Sequence, residues 1–174
     1  ACSVGLVKVR DGRVVDEASW FIRPPSGYDH FSEWNTRIHG IVASDVDTAQ
    51  QWHEQLGDLT EFADGDTLVA HNAGFDMGVI RAACAASEVD VPQFRYLCSL
   101  RVARKTYNLD SYRLAAMAAG FEDFKHHDAL ADSQACAAII LHAAKRHGAA
   151  TLSELAEFTS SKLGLIGSAI STAI

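Results

Sequence analysis

His126-His127-Asp128-Ala129-Leu130-Ala131-Asp132, followed by the run Ser133 to His147, is the stretch from which the fold can be read. Asp128 can cap the free backbone N–H groups of a helical first turn, and Ala129, Ala131, Ala135, Ala137 and Ala138 are strong helix formers. Gly148 ends the helix after Lys145, Arg146 and His147, basic residues where the helix dipole favours them. This reading puts His127 at the mouth of a long helix and Asp132 in its second turn.

A histidine at such a mouth can act as a general base on water, and a carboxylate one turn deeper can hold a divalent cation that lowers the pKa of that water. One carboxylate is too few for a hard cation, so the chemistry requires partners elsewhere in the chain. The same residues also read as a cap, a solvated helix position and a loop histidine. Taken alone, the stretch favours that plainer reading slightly.

Working outward, 174 residues with 48% hydrophobic and 21% charged content are enough for one domain with a full core. No apolar run reaches the length of a membrane span and the start has no signal-peptide architecture, so a cytoplasmic protein with no membrane partner is expected. The net charge of −7 argues against a broad nucleic-acid-binding surface, but not against a small carboxylate-rich site that meets phosphate through cations. Cys2, Cys84, Cys98 and Cys136 are scattered and lack Cys-x-x-Cys spacing, which favours buried free thiols over disulfides or zinc.

Upstream, Cys2 to Arg23 reads as two strands joined at Asp11-Gly12, with Pro24-Pro25 as the stop. Ser26 to Asp47 reads as loop; His39 within it, beside Gly40, suits a substrate contact or a packed structural histidine equally. Trp52, Leu56, Leu59 and Phe62 mark an amphipathic helix over Thr48 to Ala63. Thr67 to Ala70 is a short strand, and His71-Asn72-Ala73-Gly74 turns into a helix from about Phe75 to Ala86. Asp76 therefore stands in the first turn after a buried strand, where open α/β folds place ligands and where a helix dipole also favours a plain acid. Tyr96 to Cys98 gives another strand, Ser99 to Thr106 a helix bearing Arg101, Arg104 and Lys105, and Ser111 to Ala119 a small helix ending at Gly120. Thr151 to Phe158 is a last amphipathic turn or two, and the tail from Thr159 shows only weak periodicity.

Taken together these motifs resemble a family. His71-Asn72-Ala73-Gly74-Phe75-Asp76 is similar to the second motif, and His127-Asp128-Ala129-Leu130-Ala131-Asp132 to the His-x4-Asp third motif, of the DEDDh 3′–5′ exonucleases, which include the proofreading subunit of bacterial DNA polymerase III. Ile38-His39-Gly40-Ile41, Cys98 to Arg104 and Ser111 to Leu114 resemble further segments of that family, so the likeness spans nearly the whole chain. The resemblance implies an α/β, RNase H-like exonuclease fold over residues 1–158, with a mixed central sheet flanked by helices, and a C-terminal tail over 159–174. It implies hydrolysis of terminal phosphodiesters of DNA or RNA from a single-stranded 3′ end by two Mg2+ or Mn2+ ions, with a DNA polymerase subunit as a further partner. Asp76 and Asp132 match its metal-ligand acids, His127 its general base, and His39, His71 and Asn72 the positions that line the pocket for the terminal nucleotide.

One departure is large. The family's first motif, Asp-x-Glu on the first and central strand, has no match here: Cys2 to Val9 corresponds to the family's second strand, and Asp11, Asp16 and Glu17 lack the spacing. The expectation is that the sequence given starts downstream of that strand, that the sheet forms poorly without it, and that two-metal binding is weakened. A competing reading is a catalytically incomplete module of the same fold that binds nucleic acid or a polymerase without cutting.

Overall fold

The structure is a computed structural model and describes residues 1–119 and 128–167. Strands β1 (Ser3–Arg10) and β2 (Arg13–Phe21) form an antiparallel hairpin. Its turn, Asp11-Gly12, has φ of 48° and 73°, the doubly positive geometry that matches the twist of paired strands. A register shift after Lys8 places a bulge opposite β1.

Two short helices follow, α1 (Glu33–His39) and α2 (Ala43–Val46), where the sequence was expected to run as loop. Ser32 caps α1 by accepting from the Asn35 N–H at 3.2 Å, and Asp45 accepts from the Val42 N–H at 2.8 Å at the start of α2. No residue of α1 is buried, and its two large apolar residues, Trp34 and Ile38, stand exposed. Helix α3 (Trp52–Ala63) begins four residues later than expected, because Glu54 reaches back to the Gln51 N–H at 2.7 Å and fixes the start there. Strand β3 (Leu68–Ala70) leads into α4 (Ala73–Ala86), which starts two residues early, and β4 (Phe94–Cys98) leads directly into α5 (Ser99–Thr106). The helix expected over Ser111 to Ala119 is reduced to α6 (Leu114–Met117), and Gly120 lies outside the described residues. Helix α7 (Ala129–His147) runs from the Asp128 cap to Gly148, whose φ of 67° closes it, and α8 (Leu152–Phe158) follows. Beyond it, Gly164–Ile166 forms β5.

β3 and β4 pair in parallel and β4 and β5 antiparallel, giving a mixed three-stranded sheet. This is the mixed sheet expected from the sequence; among the described residues it shares no ladder with the hairpin. Strand alternation sorts the side chains of the mixed sheet to two faces. Leu68, Phe94, Tyr96 and Ile166 face a core built with Trp52, Leu59 and Ala63 of α3 and Met77, Ala83 and Cys84 of α4, and Val4, Leu6 and Trp20 of the hairpin join it. Val69 and Leu97, on the opposite face, meet Val102 of α5, Ile140 and Ala143 of α7, and Leu155 and Ala156 of α8. Helices thus cover both faces of the mixed sheet. Gly5, out of phase with Val4 and Leu6, faces α7: a Cβ there would overlap the Ala129 carbonyl and the Leu130 nitrogen. Helix α7 packs against β1, β2 and β3, and so bridges the two sheets.

All four cysteines are free, as expected; Cys84 and Cys136 are buried and Cys2 and Cys98 half-buried. No described helix is long and apolar enough to cross a membrane.

Candidate active site

The carboxyl ends of β3 and β4 and the N-termini of α4, α5 and α7 supply the site, in keeping with where open sheets expose backbone and side chains to ligands. At the end of β3 the chain turns on Asn72, whose φ of 70° is one that asparagine tolerates better than most residues. Asn72 precedes the first turn of α4 without making a side-chain cap bond. Asp76 stands in that first turn.

Asp132 stands in the first turn of α7, not the second. Asp128 holds this turn by accepting from the Leu130 N–H at 3.1 Å and the Ala131 N–H at 3.0 Å. Ser133 anchors it to the hairpin, donating to the Gly5 carbonyl at 2.7 Å.

Asp76 and Asp132 are brought into one electrostatic neighbourhood. Burial, the larger effect, and the Asp132 charge together push the Asp76 carboxyl from 3.8 up to about 6, against a backbone hydrogen bond that favours the anion. His71 belongs to the same group. Burial pulls its imidazole below the usual range, while the Tyr112 carbonyl and the Asp132 charge act to raise it and Arg104 acts to lower it.

Both ring nitrogens of His71 are engaged. Nε2 lies 2.7 Å from the Tyr112 carbonyl oxygen, which can only accept, so Nε2 carries the proton. Nδ1 lies 2.9 Å from Ser99 Oγ, which in turn is within 3.3 Å of the Ala70 carbonyl and 3.4 Å of Cys136 Sγ. With His71 neutral, the order is Cys136 S–H to Ser99, Ser99 O–H to Nδ1, and Nε2–H to Tyr112.

His39 ends α1, and its Nδ1 accepts from the Ile41 N–H at 3.0 Å; among the described residues no hydrogen bond joins it to the acidic pair. His127 lies outside the described residues. Sequence reading missed Ser99, Cys136 and Tyr112, and also Phe75, which is 69% exposed beside Asp76. Ser99 sits at a strand-to-helix junction, the same local signal that singled out Asp76; the Tyr112 backbone carbonyl leaves no signal in sequence.

Among the described residues no three His, Cys, Asp or Glu side chains converge as a complete metal cage. Two carboxylates that feel one another's charge, one of them pushed up to about 6 by burial and by the other, are nonetheless the donor set that a cation relieves. Magnesium commonly uses one or two carboxylates, completing its shell with water and substrate phosphate, so the pair fits such an ion.

The exonuclease family model matches residues 1–140, and the chain belongs to that family. Its solved structural neighbours show that it shares the RNase H-like fold of exonuclease domains. It is 37% identical over 145 residues to a Mycobacterium tuberculosis protein named as a bifunctional exonuclease/endonuclease, covering 80% of this chain and 22% of that one. It is 33% identical over 141 residues to the PolC-type DNA polymerase III of Caldanaerobacter subterraneus, covering 79% of this chain and 10% of that one. The chain thus spans about a fifth or less of the length of these relatives. Two solved structures share the fold. The nuclease domain of 3′hExo, a DEDDh family member bound to rAMP, superposes with a TM-score of 0.74 at 16% identity, over 86% of this chain and 83% of that one. Exonuclease X in complex with 5′ overhanging duplex DNA gives 0.70 at 22% identity, over 91% and 90%.

Proposed function

We propose that the chain is a metal-dependent 3′–5′ exonuclease domain acting on single-stranded ends of DNA or RNA, in a role like that of a polymerase proofreading subunit. The observation that carries this reading is the convergence of Asp76 and Asp132 on the first turns of two helices at the carboxyl edge of the sheet. Asp76 and Asp132 would hold Mg2+ or Mn2+, which when bound supplies charge for the phosphate and acidity for a water. His127, one residue before the Asp128 cap in sequence, takes the proton from the attacking water as general base. His39, His71 and Asn72 border the pocket for the terminal nucleotide, and the exposed Phe75 offers a ring for its base to stack on. The relatives named as PolC-type polymerases support a polymerase as partner, and the nuclease neighbours support a nucleic-acid 3′ end as substrate. The cytoplasm is the compartment in which such a domain would work.

The second reading is a module of the same fold that binds strands without cutting. It is favoured by the absence of a third convergent ligand among the described residues. Single-stranded DNA and RNA labelled at the 3′ or the 5′ end, incubated with manganese, decide between them. Stepwise loss from the 3′ end that vanishes in Asp132→Ala establishes the exonuclease. Strands bound but never shortened establish the non-cutting module.

A further inference from the structure

Outside the acidic pair, the densest set of bonds near the site is the chain Cys136–Ser99–His71–Tyr112, and each member belongs to a different part of the fold. Cys136 is on α7, one helical turn beyond Asp132; Ser99 opens α5; His71 follows β3 directly; Tyr112 lies in the segment 107–113 that joins α5 to α6. Ser99 and Cys136 are buried and His71 is half-buried.

The segment 107–113 is organised by Tyr112 at both ends of its own residue. Its hydroxyl donates to the Tyr107 carbonyl at 2.8 Å and accepts from the Leu109 N–H at 3.2 Å, while its carbonyl accepts from His71. The first two bonds close the loop on itself. The bond from His71 attaches it to the strand end that carries Asn72 and leads to Asp76.

We propose that His71 is a positioning residue: it ties the Tyr112 loop to the end of β3 and so sets one wall of the acidic site, with neither ring nitrogen left to meet a nucleotide. Two features argue for this over a substrate contact. The Tyr112 carbonyl fixes the Nε2–H tautomer, and the buried Ser99 hydroxyl occupies Nδ1, so a nucleotide would have to displace one of two bonds inside the protein. Ser99 Oγ also lies 3.3 Å from the Ala70 carbonyl, so the group that meets Nδ1 stands against the last residue of β3.

Two polar substitutions separate the halves of the ring. His71→Gln places an amide nitrogen near the Nε2 position and keeps a donor for Tyr112, whereas His71→Asn reaches Ser99 but not Tyr112. Hydrogen exchange of the unliganded protein is followed by mass spectrometry. Amides of 107–113 are expected to exchange about tenfold faster in His71→Asn and within about threefold of wild type in His71→Gln, with the β1–β2 hairpin unchanged in both. Unchanged exchange of 107–113 in His71→Asn, or equal acceleration in the two variants, overturns the proposal.

Its consequence for cutting rests on the exonuclease reading and is measured separately, with 5′-labelled dT5 and manganese. KM is expected to rise about fivefold in His71→Asn with kcat within about twofold, and to return in His71→Gln. If the wild-type protein cuts nothing, the exonuclease reading fails while the exchange result still decides the role of His71.

Discussion

Replacing Asp76 by Asn removes one charge from the acidic pair with little change in side-chain shape, so it separates what the pair costs the fold from what it gives to a cation. The folded Asp76 carboxyl is held at about 6 against an ordinary 3.8, first by burial and then by Asp132. Between those two pH values the folded protein keeps a proton that the unfolded chain has released, so stability falls as pH rises through this window and stays reduced above it. At ~1.4 kcal/mol per pH unit the full effect is at most about 3 kcal/mol, and the partly solvated carboxylate brings it down to about 1–2 kcal/mol. Asp76→Asn is expected to regain this at pH 7.5 without metal, which for a chain of this size is a rise in Tm of about 3–6 °C. At pH 3.5, where the wild-type acid is protonated, the two proteins should melt alike. Manganese reverses the order: at a hundredfold excess over its dissociation constant it stabilises the wild type by about 2.7 kcal/mol, and the Asp76→Asn variant much less. Differential scanning calorimetry in steps from pH 3.5 to 7.5, with manganese or with chelator, makes these measurements. A metal-free variant that is no more stable than wild type at pH 7.5, or that keeps the wild-type slope between pH 4 and 6, would refute the argument from burial and repulsion.

Other substitutions probe how the pair is held. Gly5→Ala drives a methyl group into the Ala129–Leu130 backbone, which cannot rotate away, and should cost about 1–3 kcal/mol in chemical denaturation while weakening manganese stabilisation, because the displaced turn carries Asp132. Gly57→Ala in α3, with nothing within 4 Å, should instead stabilise by about 0.5–1 kcal/mol. Asp128→Ala removes the cap on two N–H groups of α7 and should lower stability by about 1 kcal/mol in urea titration. Burial pushes the Cys136 thiol up to about 12, so iodoacetamide at pH 8 should leave it unmodified in the native protein and label it only after denaturation; rapid native labelling would contradict its packing against Ser99.

The elements that the sequence made legible are those whose signals are local. Asp11-Gly12 dictates its own turn, the Trp52–Leu59 spacing marks a buried helical stripe, and Asp128 with Gly148 brackets α7. Helix α1 was missed because its residues bury nothing, and the start of α3 was misplaced because the Gln51–Glu54 bond, not the apolar spacing, decides it. β5 was missed for a different reason: Gly164–Ile166 is three residues long and owes its conformation to pairing with Phe94–Tyr96, a contact made across about seventy positions of sequence. At the site, Asp76 and Asp132 were legible as first-turn or near-first-turn acids, yet their closeness to each other is tertiary. The bonds of His71 were not legible at all, since two of its neighbours act through a buried hydroxyl and a backbone carbonyl.

What makes the separate sheets and the site one construction is the phase of α7. Residues four apart lie on one helix face, so Asp132 and Cys136 point together toward the end of β3, where Cys136 meets Ser99 and the Val69 carbonyl at 3.8 Å and Asp132 meets the field of Asp76 and His71. Ser133 and Gln134, turned by one and two residues, point to the hairpin instead, to the Gly5 carbonyl and to Glu17 at 3.0 Å. The helix therefore cannot rotate to improve one set of contacts without breaking the other. Gly5 lets its first turn approach β1 closely enough for both to be made at once, and so helps to hold Asp132 within the field of Asp76.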